Sequence, residues 1–188
     1  MTSSLQKTID AIASNARRAS AALLDAPPVR IDRCLRDMAA LLDAHRASLK
    51  TVNAKDLAAA QRKNISQSML ERLMLTDKTI DSMIKGLREV SRLKNALGER
   101  FDERLRPNGL VIYKVRVPIG VIAIIYESRP NVTVDSAALC VKAGNAVILR
   151  GGSEAFNTNV ELARLTRPNP SCWSPTGTFA PRSPRACP

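Results

Sequence analysis

Residues 119–153 constrain this fold more than any other stretch. Ile119 to Ile125 is a continuous apolar run. A polar corner follows, Tyr126-Glu127-Ser128-Arg129-Pro130-Asn131. A helical segment, about 132–143, then carries Val134, Ala138 and Val141 inward and ends at Gly144-Asn145. Ala146 to Leu149 is a second apolar run, closed by Arg150-Gly151-Gly152-Ser153. A strand covered on both faces shows no polar alternation, so both runs read as buried parallel strands. Strand, loop, helix, strand, Gly-rich turn and helix start make a βαβα unit, joined by a right-handed crossover.

Everything upstream has a different period. Leu5, Ile9, Ile12, Ala16, Ala19 and Leu23 recur at steps of four and three, which predicts a helix over 3–24 stopped by Pro27-Pro28. A second helix is predicted over about 28–49, with Ile31, Leu35, Met38, Leu42 and Leu49 buried and His45 near that face. Asn53-Ala54-Lys55-Asp56 has the form of an N-cap with an acid at N3, starting a short helix to about Gln61. Ser66 and Thr76 are positioned to cap two more, the longer over 77–94. The period then changes to two. Val111, Tyr113, Val115 and Val117 alternate with Ile112, Lys114 and Arg116, after the turn signal Pro107-Asn108-Gly109. With Phe101 to Leu105 as partner, the stretch 99–117 reads as a protruding hairpin arm, where a second subunit's sheet could add.

Composition excludes several function classes. The hydrophobic share of 45% fills a core, and no apolar run reaches the length of a membrane span. The first residues lack a signal-peptide core, so a cytoplasmic location is the default expectation. Four cysteines, Cys34, Cys140, Cys172 and Cys187, form no C-x-x-C pair, and with one histidine they offer no metal spacing. The formal charge of +12 is the outlier. Its basic residues are scattered along all the helices and aromatic content is only 3%, so a solvated basic surface is favoured over a nucleic-acid partner.

In a doubly wound sheet, ligands bind beyond the carboxyl ends of the strands. Two loops occupy that edge here, 126–131 and 150–154. Arg150 and Arg129 supply permanent positive charge, and Asn131 an amide. Gly151 and Gly152 are expected to let the backbone approach a ligand, and Ser153 to open a helix whose free N–H groups favour anions. That chemistry suits a phosphate-bearing ligand, a nucleotide or an acyl phosphate.

The segments V-P-I-G-V-I-A-I-I-Y-E-S-R-P-N-V-T-V-D and C-V-K-A-G-N-A-V-I-L-R-G-G-S-E-A closely resemble the γ-glutamyl phosphate reductase family of the aldehyde dehydrogenase superfamily, over about residues 5–165. The resemblance implies an α/β chain: N-terminal helices, a β-hairpin arm and the first part of a doubly wound (Rossmann-like) aldehyde-dehydrogenase cofactor domain, truncated. It implies NADPH-dependent reduction of L-glutamyl 5-phosphate to glutamate 5-semialdehyde and phosphate, in proline biosynthesis, through a cysteine thiolate and a thioacyl enzyme. Arg150, Gly151, Gly152, Ser153 and Glu154 match the cofactor-side loop. Tyr126, Glu127, Ser128, Arg129, Pro130 and Asn131 match the corner bordering substrate and nicotinamide, with Asn131 the candidate oxyanion contact. The full-length family is implied to form a homo-oligomer through the hairpin arm.

The chain also departs from that family. Family members are much longer, and no cysteine here stands at the nucleophile's position, so the chain alone is expected to be inactive. Residues 1–165 read as a partial cofactor-binding domain. Residues 166–188, TRPNPSCWSPTGTFAPRSPRACP, have no apolar period and read as a disordered or frame-shifted tail. The competing reading is a Pro-rich interaction tail with Ser174-Pro175 and Ser183-Pro184 as its contacts.

Overall fold

The computed structural model describes residues 2–167, with side chains from Ser4 onward. The expectation for the tail from Pro168 onward lies outside the described residues. Five helices come first: α1 (Thr2–Leu24), α2 (Pro28–Ala44), α3 (Arg46–Arg62), α4 (Gln67–Leu73) and α5 (Asp77–Arg92). A hairpin follows, β1 (Arg100–Leu105) and β2 (Val111–Val115). The chain then runs through β3 (Val121–Ile125), α6 (Pro130–Lys142), β4 (Ala146–Arg150), one 3-10 turn (Ser153–Ala155) and α7 (Phe156–Leu165).

The main core lies between α2, α5, α6 and α7, where Leu35, Met38, Leu42, Ile80, Met83, Leu87, Val134, Leu162 and Leu165 are buried together. Each fully buried Leu or Ile there is worth about 2–5 kcal/mol on truncation to Ala. Thr76 caps α5 as expected, its hydroxyl accepting from the Thr79 N–H at 3.1 Å. Lys142 is buried at the end of α6, and its Nζ donates to Asp32 Oδ1 at 2.5 Å and to the Ser91 carbonyl at 3.3 Å. One cation thus joins the ends of α5 and α6 to α2.

Two helix boundaries differ from the sequence expectation. The helix expected over 28–49 breaks at His45, whose backbone leaves helical values at φ −107°, ψ 18°, while its Nδ1 shares the Leu41 carbonyl with its own N–H, at 2.9 and 3.1 Å. Asn53 does not begin a helix. It lies inside α3 and is buried with Asp56. Asn53 Oδ1 accepts from the Leu75 N–H at 2.9 Å, and its Nδ2 donates to the Leu73 carbonyl at 2.9 Å and to Thr158 Oγ1 at 3.2 Å. Asp56 accepts the Asn157 and Thr158 N–H groups at 3.3 and 2.7 Å, Asn157 Nδ2 at 2.7 Å and the Thr158 hydroxyl at 2.6 Å. The capping chemistry is real, but the helix it caps is α7, about a hundred residues on.

The parallel unit forms in register, with Val121 opposite Ala146 and Ile125 opposite Arg150. Gly144 ends α6 at φ +71°, where a Cβ would also press on Leu97 and Pro118. Asn145 then locks the strands, its Oδ1 accepting the Gly120 N–H at 2.8 Å. β3 is less covered than an unbroken apolar run requires. Ala123 and Ile125 are exposed, and Ile119 precedes the strand at 81% exposure. Among the described residues β3 pairs only with β4, so the covering layers that its sequence anticipates are not supplied. Leu5 and Ile9, on the apolar stripe of α1, are exposed as well.

The hairpin arm is antiparallel, and every residue of both strands is exposed. A bulge places Asp102 and Glu103 opposite Tyr113, with Asp102 at φ +53° and ion-paired to Arg104 and Lys114 at 3.0 and 2.7 Å. Arg100 lies over the Tyr113 ring and Arg116 over Phe101. These contacts shield part of an arm that has no core of its own.

Replacing Asp56 by Ala strands four donors near the start of α7. We expect a loss of about 3 kcal/mol of local stability there. Hydrogen exchange at the α7 amides then rises about a hundredfold, with α2 and α5 little changed.

Candidate functional site

β3 and β4 end level with one another, and the Tyr126 N–H donates to the Arg150 carbonyl at 3.0 Å. Both loops expected at the site therefore leave the sheet side by side. The Tyr126–Asn131 corner runs from β3 into α6, whose first residue is Pro130. The Arg150–Glu154 loop runs from β4 into the 3-10 turn before α7.

Two side-chain linkages close these loops on each other. In the first, Tyr126 Oη lies 2.6 Å from Thr133 Oγ1, and the Thr133 hydroxyl donates to Asn159 Oδ1 at 3.0 Å. Thr133 spends its one proton on Asn159, so Tyr126 is the donor to Thr133. Burial pushes the Tyr126 phenol above its ordinary value, against the opposing pull of that hydrogen bond, so it keeps its proton at neutral pH. In the second, Ser128 Oγ donates to Glu154 Oε2 at 2.6 Å while Ser153 Oγ donates to Glu154 Oε1 at 2.9 Å. The Ser128 hydrogen bond, foremost, holds the Glu154 carboxyl below the usual glutamate range. A depressed value means that this contact stabilises the fold fully above the ordinary glutamate pKa. The contribution disappears as the pH falls through the depressed value.

The two glycines serve this closure. A Cβ at Gly151 would run into the Asn159 amide and sit 3.1 Å from the Tyr126 ring. One at Gly152 would sit 2.5 Å from Ser128 Oγ and 3.2 Å from its backbone nitrogen. What approaches the Gly-Gly backbone closely is the neighbouring loop. Asn159 Nδ2 is buried here without a hydrogen-bond partner.

The remaining expected residues fall on the same edge, with different freedom. Arg150, Arg129 and Glu127 are exposed, and among the described residues no ion pair engages them. Asn131 lies in the first turn of α6, where its Nδ2 donates to Asp135 Oδ2 at 3.3 Å. That ties the candidate oxyanion amide to its own helix. Anion binding at the start of α7 also meets a prior occupant, since the Asp56 carboxylate already takes the Asn157 and Thr158 N–H groups. Burial raises the thiol pKa of Cys140, away from a reactive thiolate, and Cys34 is likewise buried. Among the described residues no cluster of His, Cys, Asp and Glu could hold a metal ion, and no helix is long and apolar enough to cross a membrane.

Sequence reasoning missed Thr133, Asn159 and the inward role of Asp56. The available signal was polar side chains interrupting an inward apolar stripe, as Thr133 does beside Val134, and Thr158-Asn159 does ahead of Leu162.

A profile of the aldehyde dehydrogenase family matches residues 1–169. The chain is 50% identical over 163 residues to a curated gamma-glutamyl phosphate reductase from Desulfotalea psychrophila, covering 87% of this chain and 39% of that protein. A solved gamma-glutamyl phosphate reductase from Thermotoga maritima is similar with a TM-score of 0.80 at 41% identity, over 82% of this chain and 37% of that one. The enzyme of that name from Saccharomyces cerevisiae gives 0.77 at 35% identity, over 83% and 40%. The chain thus spans about two-fifths of the length of the relatives it matches.

A Cβ added at Gly86, in α5, would meet nothing outside its own helix nearer than Asp135 Oδ1 at 3.8 Å. Gly86→Ala is expected to stabilise the protein by about 0.5–1 kcal/mol through helix propensity. Gly151→Ala and Gly152→Ala are expected to destabilise by about 1–3 kcal/mol, because the loops must separate. Thermal melts of the three variants check the opposed signs.

Proposed function

Because the chain belongs to the aldehyde dehydrogenase family, we propose that it carries part of the cofactor domain of an NADPH-dependent reductase acting on L-glutamyl 5-phosphate. The observation that carries this reading is the 50% identity, over 163 residues, to a gamma-glutamyl phosphate reductase. On this reading residues 1–165 form that part of the domain, and the protein works in the cytoplasm in proline biosynthesis.

The residues present fit a dinucleotide in chemistry. Such a ligand brings phosphates, which need cations, and ribose hydroxyls, which need acceptors. Arg150 and Arg129 are exposed guanidinium groups, and Glu154 is an ionised carboxylate already accepting two hydroxyls. Arg150 to Glu154 would hold the cofactor, which supplies a hydride when bound. Tyr126 to Asn131 would border the nicotinamide and the acyl phosphate, with Arg129 the cation nearest in type to that substrate's phosphate. To serve an oxyanion, Asn131 would first give up its 3.3 Å contact to Asp135.

Acyl transfer to a thiol needs an accessible thiolate, and among the described residues Cys34 and Cys140 are buried and provide none. With about two-fifths of its relatives' length, the 188-residue chain alone is expected to show no NADPH-dependent turnover of L-glutamyl 5-phosphate. Grafting residues 1–165 in place of the matching part of the Thermotoga maritima enzyme tests the assignment itself. The graft should reduce L-glutamyl 5-phosphate, and Arg150→Ala in it should raise the KM for NADPH about tenfold. A folded graft that binds NADPH but leaves the acyl phosphate untouched would reject the substrate.

Assembly through the hairpin belongs to the same proposal. Leu105, Leu110, Val111 and Ile112 offer an exposed apolar strand edge. Ile112→Lys should shift sedimentation toward the monomer, and an unchanged distribution would remove the arm from the interface.

A further inference from the structure

Glu154 is taken by this chain's own hydroxyls, one on each carboxylate oxygen: Ser128 on Oε2 at 2.6 Å and Ser153 on Oε1 at 2.9 Å. Two hydroxyls, one per oxygen, are what a vicinal diol presents to a carboxylate. Ser153 belongs to the same loop as Glu154, but Ser128 comes from the facing corner, 26 residues earlier in the chain. We propose that Ser128 is a positioning residue that occupies Glu154 in place of a ligand hydroxyl, so that a ribose hydroxyl taking the carboxylate releases the Glu127–Arg129 segment. This rests on the cofactor reading above and adds to it a link between the two loops.

The geometry limits what such a release moves. Tyr126 is anchored through Thr133 and Asn159, and Pro130 is buried at the start of α6. Between those anchors Glu127 and Arg129 are exposed, and the hydrogen bonds of the segment are the Arg129 N–H to the Glu127 carbonyl, the Val132 N–H to the Arg129 carbonyl, and Ser128 to Glu154, the last being the one that crosses to the facing loop. Ser128 is the buried member of the three. Its seat exists because Gly152 has no Cβ, which would otherwise lie 2.5 Å from the Ser128 hydroxyl. Glu154 is half-buried and Ser153 exposed, so a diol enters at Oε1, on the Ser153 side, and its second hydroxyl reaches Oε2 by displacing Ser128. Release frees Arg129, the cation of the corner, at the moment the cofactor loop fills.

A ligand that must displace Ser128 binds with an affinity reduced by the fraction of chains in which Glu154 is free. Removing the competing hydroxyl should therefore tighten binding, the opposite of what loss of a merely structural contact does. NADH and NADPH are titrated into the 188-residue chain and its Ser128→Ala variant, followed by nicotinamide fluorescence. Hydrogen exchange over 126–131 is measured with and without nucleotide. The expected result is about ten- to hundredfold tighter binding by Ser128→Ala, for a hydrogen bond to a charged group. Exchange at 127–129 should also be faster in the ligand-free variant, and faster in the wild type once nucleotide is added. Ser128→Cys, which keeps the volume and donates weakly, should shift both readouts the same way by less, and it replaces Ser128→Ala if that variant fails to fold. Equal or weaker binding by the variants, with nucleotide bound by the wild type, overturns the competition while leaving the cofactor reading intact. If neither nucleotide binds wild type or variant, the cofactor reading itself falls and takes the displacement with it.

Discussion

The carboxylate of Asp56 holds the candidate site together. Moving a carboxylate out of water costs several kcal/mol, and the cost is offset only when its oxygens are well supplied with donors. Asp56 receives four hydrogen bonds, two of them from the first N–H groups of α7, where the helix dipole also favours a negative charge. Asn53 stands one turn earlier on α3 and clamps the Leu73–Leu75 linker and Thr158. A small apolar cluster of Ala60, Leu73 and Ala155 closes over the same junction. The helical N-terminal part of the chain thereby fixes where α7 begins, and α7 fixes the Gly151–Glu154 loop just ahead of it.

The parallel pair supplies the other fixed point. Register between β3 and β4 sets Ile125 against Arg150, so the two loops start level, and Asn145 pins the opposite end of the pair. What remains is to close a small gap between loops, which Gly151 and Gly152 permit by omitting side chains. The result is a charged rim, Arg150 and Arg129, beside a hydrogen-bonded floor of Tyr126, Thr133 and Asn159, with Ser128 and Glu154 joining the two loops. Exposed cations of one sign along such an edge raise the local concentration of anionic ligands.

Much of this was legible in the sequence, and the failures share one cause. The first and fifth helices, the period-two hairpin, the Gly144 stop and the order of the βαβ unit are local signals, and each appears where local reasoning puts it, while the boundary between α2 and α3 does not. Asn53-Ala54-Lys55-Asp56 has the right residue types for a cap, but a cap acting across about a hundred residues leaves no local trace. The same holds for the glycine pair. Loop position could announce a close approach there, while Tyr126 and Ser128 as the approaching atoms needed the fold. The apolar run at β3 carried the opposite lesson: its sequence asks for cover on both faces, and Ile119 and Ile125 stand at 81% and 78% exposure. Such a strand is written for more neighbours than the described residues supply, in keeping with relatives more than twice as long.

If the 126–131 and 150–154 loops serve one ligand, a nucleotide must reach both at once. Backbone amide NMR shifts of the 188-residue chain during an NADPH titration measure this. The amides of Tyr126 to Asn131 and of Arg150 to Glu154 should then move together along one binding curve, with α2 and α5 unmoved. Shifts confined to one loop, or centred on the charged groove between α2 and α5 around Arg46 and Arg88, would contradict it.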